Sequence, residues 1–205
     1  MIVKRLVLGP LSTNCYIAVD EQTRDSIVID PADNGEVILN TLASLGANLR
    51  LVVLTHCHFD HSGAAAMLCE KGASLVCHEK ESGSLSSPSI NLSGHFGFPE
   101  IILYPDKTVG EGDEITFGKT SLKVIHTPGH TVGGMCLYGE NVLFAGDTLF
   151  AGSIGRTDFP GGSFETIESS ILKKLYVLPE DTVVYPGHGE STTIGTEKRE
   201  NMYVR

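Results

Sequence analysis

Apolar residues run along this chain in short stretches, most of them closed by Gly, Pro, Asn or Asp. Ile2–Leu8, Cys15–Val19 and Ser26–Asp30 are rich in β-branched residues and read as strands. Asn34 stands where it could cap a helix, whose Val37, Ile38, Leu42 and Leu45 keep helical spacing up to Gly46. Leu51–Thr55 then reads as a buried strand, Ser62–Lys71 as a helix ended by Gly72, and Leu75–Cys77 as a further strand. The second half repeats the alternation, with strands at Glu114–Phe117, Ser121–His126, Gly134–Tyr138 and Val142–Ala145. A helix over Glu165–Leu175, a strand over Thr182–Tyr185 and a short helix after Ile194 complete it. Strands outnumber helices and the helices separate strand groups, so the simplest packing is a two-sheet sandwich with helices on its outer faces. Residues 82–99, crowded with Ser, Gly and Pro, fall inside this alternation and read as a surface loop, not a domain boundary.

A chain of 205 residues is long enough for one sizeable core, and length alone does not force two domains. Its 41% hydrophobic and 20% charged residues are ordinary for a soluble globular protein. The net charge of -10 argues against a nucleic-acid binder, which would show a basic face. No stretch approaches the length of a membrane span, and the strand-like start shows no signal peptide. The cysteines at 15, 57, 69, 77 and 136 are odd in number and scattered, as expected of reduced thiols in a cytoplasmic protein.

The chemistry enters at the ends of the predicted strands. Ligand-type residues follow apolar runs in four places: His56, His58, Asp60 and His61 after Leu51–Thr55, His130 after Ser121–His126, Asp147 after Val142–Ala145, and His188 after Thr182–Tyr185. Strand ends are rigid and can hold side chains at metal-binding geometry. Gly129, Gly146 and Gly187 adjoin three of these positions, letting the backbone turn sharply there. Seven ligands exceed what one tetrahedral ion needs. Shared between two ions they fit: His56, His58 and His130 for one, Asp60, His61 and His188 for the other, with Asp147 as the bridge. Two such divalent ions can hold a hydroxide between them and polarise a carbonyl or phosphoryl oxygen. Asp60 could also orient that nucleophile and take a proton, which makes it the candidate catalytic residue.

The stretch THCHFDH at 55–61, with His130, Asp147 and His188 following in order, resembles the metallo-β-lactamase superfamily and its H-x-H-x-D-H motif. The resemblance implies an α+β fold, a four-layer αββα sandwich, over 1–205 as a single domain. HTPGHT at 126–131, AGDTLF at 145–150 and TTIGTEKREN at 192–201 are similar to the hydroxyacylglutathione hydrolases (glyoxalase II). That likeness implies two divalent metal ions, zinc first and iron or manganese as alternatives. It implies a small-molecule thioester substrate such as S-D-lactoylglutathione. The chain departs from the full-length members: it lacks their C-terminal helical region, with its basic residues for the glutathione carboxylates. Its loop AGSIGRTDFPGGS at 151–163 also differs. Gly-Arg-Thr-Asp also occurs in persulfide dioxygenases, where His56, His130 and Asp147 would hold a single iron, so that reaction is the alternative.

Other residues have plainer readings. Cys57, between two candidate ligands, reads as a packed residue turned away from them. Asp30, in VIDPA, is either an acceptor for a ligand histidine or an ordinary turn residue. His126 either orients a ligand or ends its strand in solvent, whereas His78 and His95 read as structural or surface residues. Arg156 pairs either with Asp158 or with a substrate carboxylate. Tyr138, Tyr176 and Tyr185 read as core.

Overall fold

The computed structural model describes residues 1–95 and 99–204. In chain order the first half holds β1 (Ile2–Leu8), β2 (Thr13–Val19), β3 (Asp25–Ile29), α1 (Gly35–Ser44), β4 (Asn48–Val53), α2 (Phe59–Ser62), α3 (Ala65–Glu70), β5 (Ser74–His78) and β6 (Lys107–Val109). The second half holds β7 (Glu114–Phe117), β8 (Thr120–His126), β9 (Met135–Gly139), β10 (Val142–Gly146), β11 (Leu149–Phe150), β12 (Ser153–Ile154), α4 (Phe164–Ser170), β13 (Val183–Pro186), β14 (Thr192–Thr193) and α5 (Ile194–Glu200). A π-helical turn, Ile171–Leu175, prolongs α4.

Two six-stranded sheets result, ordered β1-β2-β3-β4-β5-β6 and β14-β13-β10-β9-β8-β7. Strands β3 to β6 run parallel, and the buried stretches Ile27–Ile29, Val52–Val53 and Leu75–Cys77 of the inner three are apolar on both faces. Alternation along β2 shows how the layers are built. Tyr16 and Ala18 face the second sheet, in a cluster with Leu122, Leu137 and Phe144. Cys15, Ile17 and Val19 face outward under α1 and α3, beside Ile38, Leu42 and Leu68. On the far side, Cys136, Leu143 and Val184 pack beneath Ile167, Ile171 and Ile194. The order helix–sheet–sheet–helix is the expected αββα sandwich. Among the described residues no helix is long and apolar enough to cross a membrane.

Several boundaries differ from the sequence reading. The helix expected over Ser62–Lys71 is two short helices broken at Gly63–Ala64. A Cβ on Gly63 would overlap the Ala32 carbonyl, so the chain is pinned to the turn after β3 at that point. Asn34 stands at the start of α1 in a left-handed conformation (φ 50°) without a side-chain cap. β4 begins and ends earlier than Leu51–Thr55, which leaves Thr55 free to serve the site below.

The 82–99 segment is not simply a surface loop. Leu85 sits in the outer cluster of the first sheet, and the buried Asn91 donates to the carbonyls of Leu85 and Ile101. A buried polar group needs such partners, and Asn91 supplies the loop's own. The rest of that prediction, at 96–98, lies outside the described residues.

Candidate metal centre

The candidate ligands arrive from both sheets at one end of the sandwich. His56 and His58 lie in the loop after β4, and Asp60 and His61 in the single turn of α2. His130 follows β8, Asp147 follows β10, and His188 follows β13. Two close approaches hold the second-sheet loops there. Gly146 adopts φ 48° against Thr55, where a Cβ would collide with the hydroxyl. A Cβ on Gly187 would overlap the Asp147 carboxylate and crowd the His61 ring.

The seven candidates form two groups around Asp147. Ligand atoms of His56, His58 and His130 lie within 4.8 Å of one another, as do those of Asp60, His61 and His188. His130 Nε2 is 3.0 Å from His58 Nδ1. His188 Nε2 is 3.4 Å from His61 Nε2 and 3.3 Å from Asp60 Oδ2. Asp147 faces both groups, with Oδ2 at 3.6 Å from both His130 and His188 and Oδ1 at 3.4 Å from His61.

Surrounding acceptors decide which nitrogen of each ring is free. His61 Nδ1 donates to Asp30 Oδ2 at 2.9 Å, His130 Nδ1 to the Arg156 carbonyl at 2.7 Å, and His188 Nδ1 to the Leu11 carbonyl at 3.2 Å. The Thr55 hydroxyl gives its proton to Asp30 and so accepts from His56 Nδ1. When neutral, each of these four rings therefore turns its Nε2 lone pair inward, the tautomer a metal ligand needs. His58 is reversed and presents Nδ1 to His130. His56 Nε2 and Asp147 Oδ1 are buried with no hydrogen-bond partner. Converging lone pairs and an orphaned carboxylate oxygen fit divalent cations.

The electrostatics agree. Burial, reinforced by the neighbouring histidines, drives the His56 ring well below its ordinary value and that of His58 down to about 3, so both stay neutral. At His61 burial opposes charge, but Asp147, Asp60 and Asp30 outweigh it and raise the ring. A bound cation would compete with that proton. Burial likewise opposes charge on Asp147 and Asp60, yet the histidines hold both carboxyls below the usual range.

Asp30 lies within the same distances of His56 and His61. Its oxygens are already committed: Oδ1 accepts the Thr55 N–H at 2.8 Å, and Oδ2 accepts from Thr55 and His61. It acts as an acceptor that orients ligand rings, the first of its two sequence readings. Cys57 packs in the outer cluster of the first sheet, its thiol pushed up by burial and by Glu81. His126 orients no ligand ring: it stacks on His78 at 4.1 Å and donates to the Val132 carbonyl. Arg156 pairs with Asp158.

Sequence reasoning missed other parts of the site. Glu81 is fully buried and accepts the Cys57 N–H at 2.9 Å and the Gly133 N–H at 2.7 Å, tying the His56–His58 loop to the loop after His130. Nothing in the sequence near Glu81 marks it, because both partners are backbone groups distant along the chain. Thr13 donates to Asp60 Oδ2 at 3.2 Å. Above the centre opens a cavity of about 460 Å³, walled by Leu11, Phe59, Leu92, Phe150 and Phe159 around His58, Asp60, His130, Asp147 and His188.

The chain is similar to several known proteins. A hydroxyacylglutathione hydrolase, GloC, of Haemophilus influenzae is 37% identical over 209 residues, covering 100% of this chain and 98% of that protein. The solved structure of the BLEG-1 B3 metallo-beta-lactamase superposes with a TM-score of 0.94 at 35% identity, covering 99% of both chains. TTHA1623 in a di-iron-bound form gives 0.87 at 35% identity over 98% of this chain and 100% of that one. ETHE1 of Myxococcus xanthus gives 0.83 at 31% identity over 98% and 84%. The family model of the metallo-beta-lactamase superfamily matches residues 8–188, from the end of β1 to the last histidine of the cluster. With both the layered fold and the sequence matching from end to end, the chain belongs to the metallo-β-lactamase superfamily, whose members are typically metal-dependent hydrolases.

Proposed function

We propose that this chain hydrolyses small-molecule thioesters, S-acylglutathiones such as S-D-lactoylglutathione among them, at a centre of two divalent metal ions. His56, His58 and His130 would hold one ion, Asp60, His61 and His188 the other, and Asp147 both. Zinc suits this nitrogen-rich donor set best. The observation that carries the reading is the convergence of His61, His130 and His188 Nε2 on Asp147, a carboxylate that faces both groups, under a mostly apolar cavity. The likeness to GloC supports the thioester.

Bound there, the cations would supply a nucleophile from water near neutral pH and polarise the thioester carbonyl. The protein's own residues do the rest. Asp60, held by Thr13 at the cavity wall, orients the attacking water and takes its proton. Phe150, Phe159 and Leu92 exclude bulk water from the reacting group. The acceptors behind His56, His61, His130 and His188 keep the cluster in place between turnovers. A cytoplasmic setting suits the five cysteines, all of them free.

A second reading, a mononuclear iron dioxygenase acting on glutathione persulfide, is favoured by the likeness to ETHE1 and would use His56, His130 and Asp147. It leaves the convergence of Asp60, His61 and His188 without a purpose. Metal analysis with paired assays separates the two. The hydrolase is expected to hold two ions per chain and release thiol from S-D-lactoylglutathione without oxygen. One iron per chain, with oxygen consumed on the persulfide, would overturn it.

A further inference from the structure

The wall of the cavity bears on which thioester the centre prefers. Among the described residues that line it, Arg156 is the one lysine or arginine. Its guanidinium is already engaged: Nε donates to Asp158 Oδ1 at 2.9 Å and Nη2 to Asp158 Oδ2 at 2.7 Å, a two-pronged pair that uses both carboxylate oxygens. The same guanidinium lies 4.2 Å over the Phe159 ring. A smaller cavity of about 230 Å³ shares the Leu11, Phe59 and Asp60 walls, and its one further charged group is Asp33. An S-acylglutathione carries two carboxylates at neutral pH. With Asp60 and Asp147 given over to the proposed ions, the charged groups left on the walls to meet them are Asp33 and an Arg156 already paired.

Resting on the thioester reading above, we propose that Asp158 is a specificity-determining residue. By holding Arg156 it withdraws the cavity wall's one arginine from substrate carboxylates, and so favours thioesters whose thiol half is uncharged and apolar over glutathione conjugates. The Arg156 and Asp158 side chains are 64% and 65% exposed, so solvent screens the pair and a substrate carboxylate competes with Asp158 for it. The preference is thus a matter of degree, and releasing Arg156 should change it by a few-fold.

Two thioesters with the same acyl group test this on the metal-loaded enzyme: S-acetylglutathione and S-acetyl-N-acetylcysteamine. The wild type is expected to show the higher kcat/KM on the neutral thioester. Asp158→Asn should lower KM for S-acetylglutathione about two- to fivefold and leave its kcat unchanged. The ratio of the two substrates should move accordingly, and Arg156→Gln added to Asp158→Asn should abolish the gain. A ratio unmoved by Asp158→Asn would overturn the proposal. So would Arg156→Gln alone raising KM selectively for S-acetylglutathione, since Arg156 would then already clamp it. Absence of turnover on both thioesters would instead overturn the underlying thioester reading, and the preference with it.

Discussion

The two halves of the proposed metal centre are built differently. His56, His58 and His130 are all buried and bring only nitrogen donors. Asp60, His61 and His188 include a carboxylate, and the His188 side chain is 29% exposed. The inner half is clamped by Glu81, which joins its two loops. The outer half has one buried donor, His61, backed by Asp30, while Asp60 and His188 lean on Thr13 at the start of β2 and on the Leu11 carbonyl just before it. Burial and double anchoring keep the inner donors in place with little ordering cost, whereas Asp60 and His188 give way to solvent more readily. The inner half should therefore bind its ion more tightly, and the outer half should empty first.

Breaking the bridge should have the largest effect. Asp147→Ala removes the carboxylate proposed to ligate in both halves, so both ions should be lost and thioester hydrolysis should fall by about 10³-fold or more. Metal analysis after gel filtration checks this, and retention of one ion would show that Asp147 serves only one half. His188→Ala tests the asymmetry directly. It should leave about one ion per chain with little activity, and loss of both ions would mean that the halves depend on each other. Asp30→Asn should weaken both halves by roughly 10–100-fold, because Asp30 orients His61 directly and His56 through Thr55. Chelator competition measures it.

Glu81→Ala should weaken the inner ion alone, by about tenfold. It should also lower the melting temperature, since two buried N–H groups lose their acceptor at about 1–3 kcal/mol each. Equal weakening of both ions would refute the assignment of Glu81 to the inner half.

The smallest effect should come from outside the centre. Asp20, at the opposite end of β2, accepts the Thr23 N–H and also bonds to Thr120 and the Lys119 N–H, joining the two sheets. These bonds, that of the Thr23 backbone foremost, hold its carboxyl below the ordinary 3.8. A lowered folded value means that its stabilisation is fully present above pH 3.8 and is lost as the pH falls through the folded value. Asp20→Asn should flatten the dependence of stability on pH in that acid range, followed by circular dichroism, without altering metal retention near neutrality.

Much of this architecture was legible in the chain. Apolar runs on both faces marked the central strands, and ligand-type residues just past four of them marked the centre, because a strand end carries its side chains to one edge of a sheet. Less legible were elements whose reasons lie across space. α2 and α3 separate at Gly63 because Ala32 presses on it. Residues 82–95 fold inward because Asn91 satisfies the carbonyls of Leu85 and Ile101 and Leu85 enters the outer cluster of the first sheet. No local pattern encodes either contact.

Residue type and spacing by themselves determined which side chains could ligate, since imidazole and carboxylate donors are visible as letters and strand periodicity sets where they emerge. Only the tertiary structure decided which nitrogen of each ring faces inward. It also decided that Asp30 orients rings from behind, that Glu81 joins two loops, and that Asp158 already occupies Arg156. Hydrogen bonds act over about 3 Å between groups far apart along the chain, so their pairing exists only once the two sheets have packed.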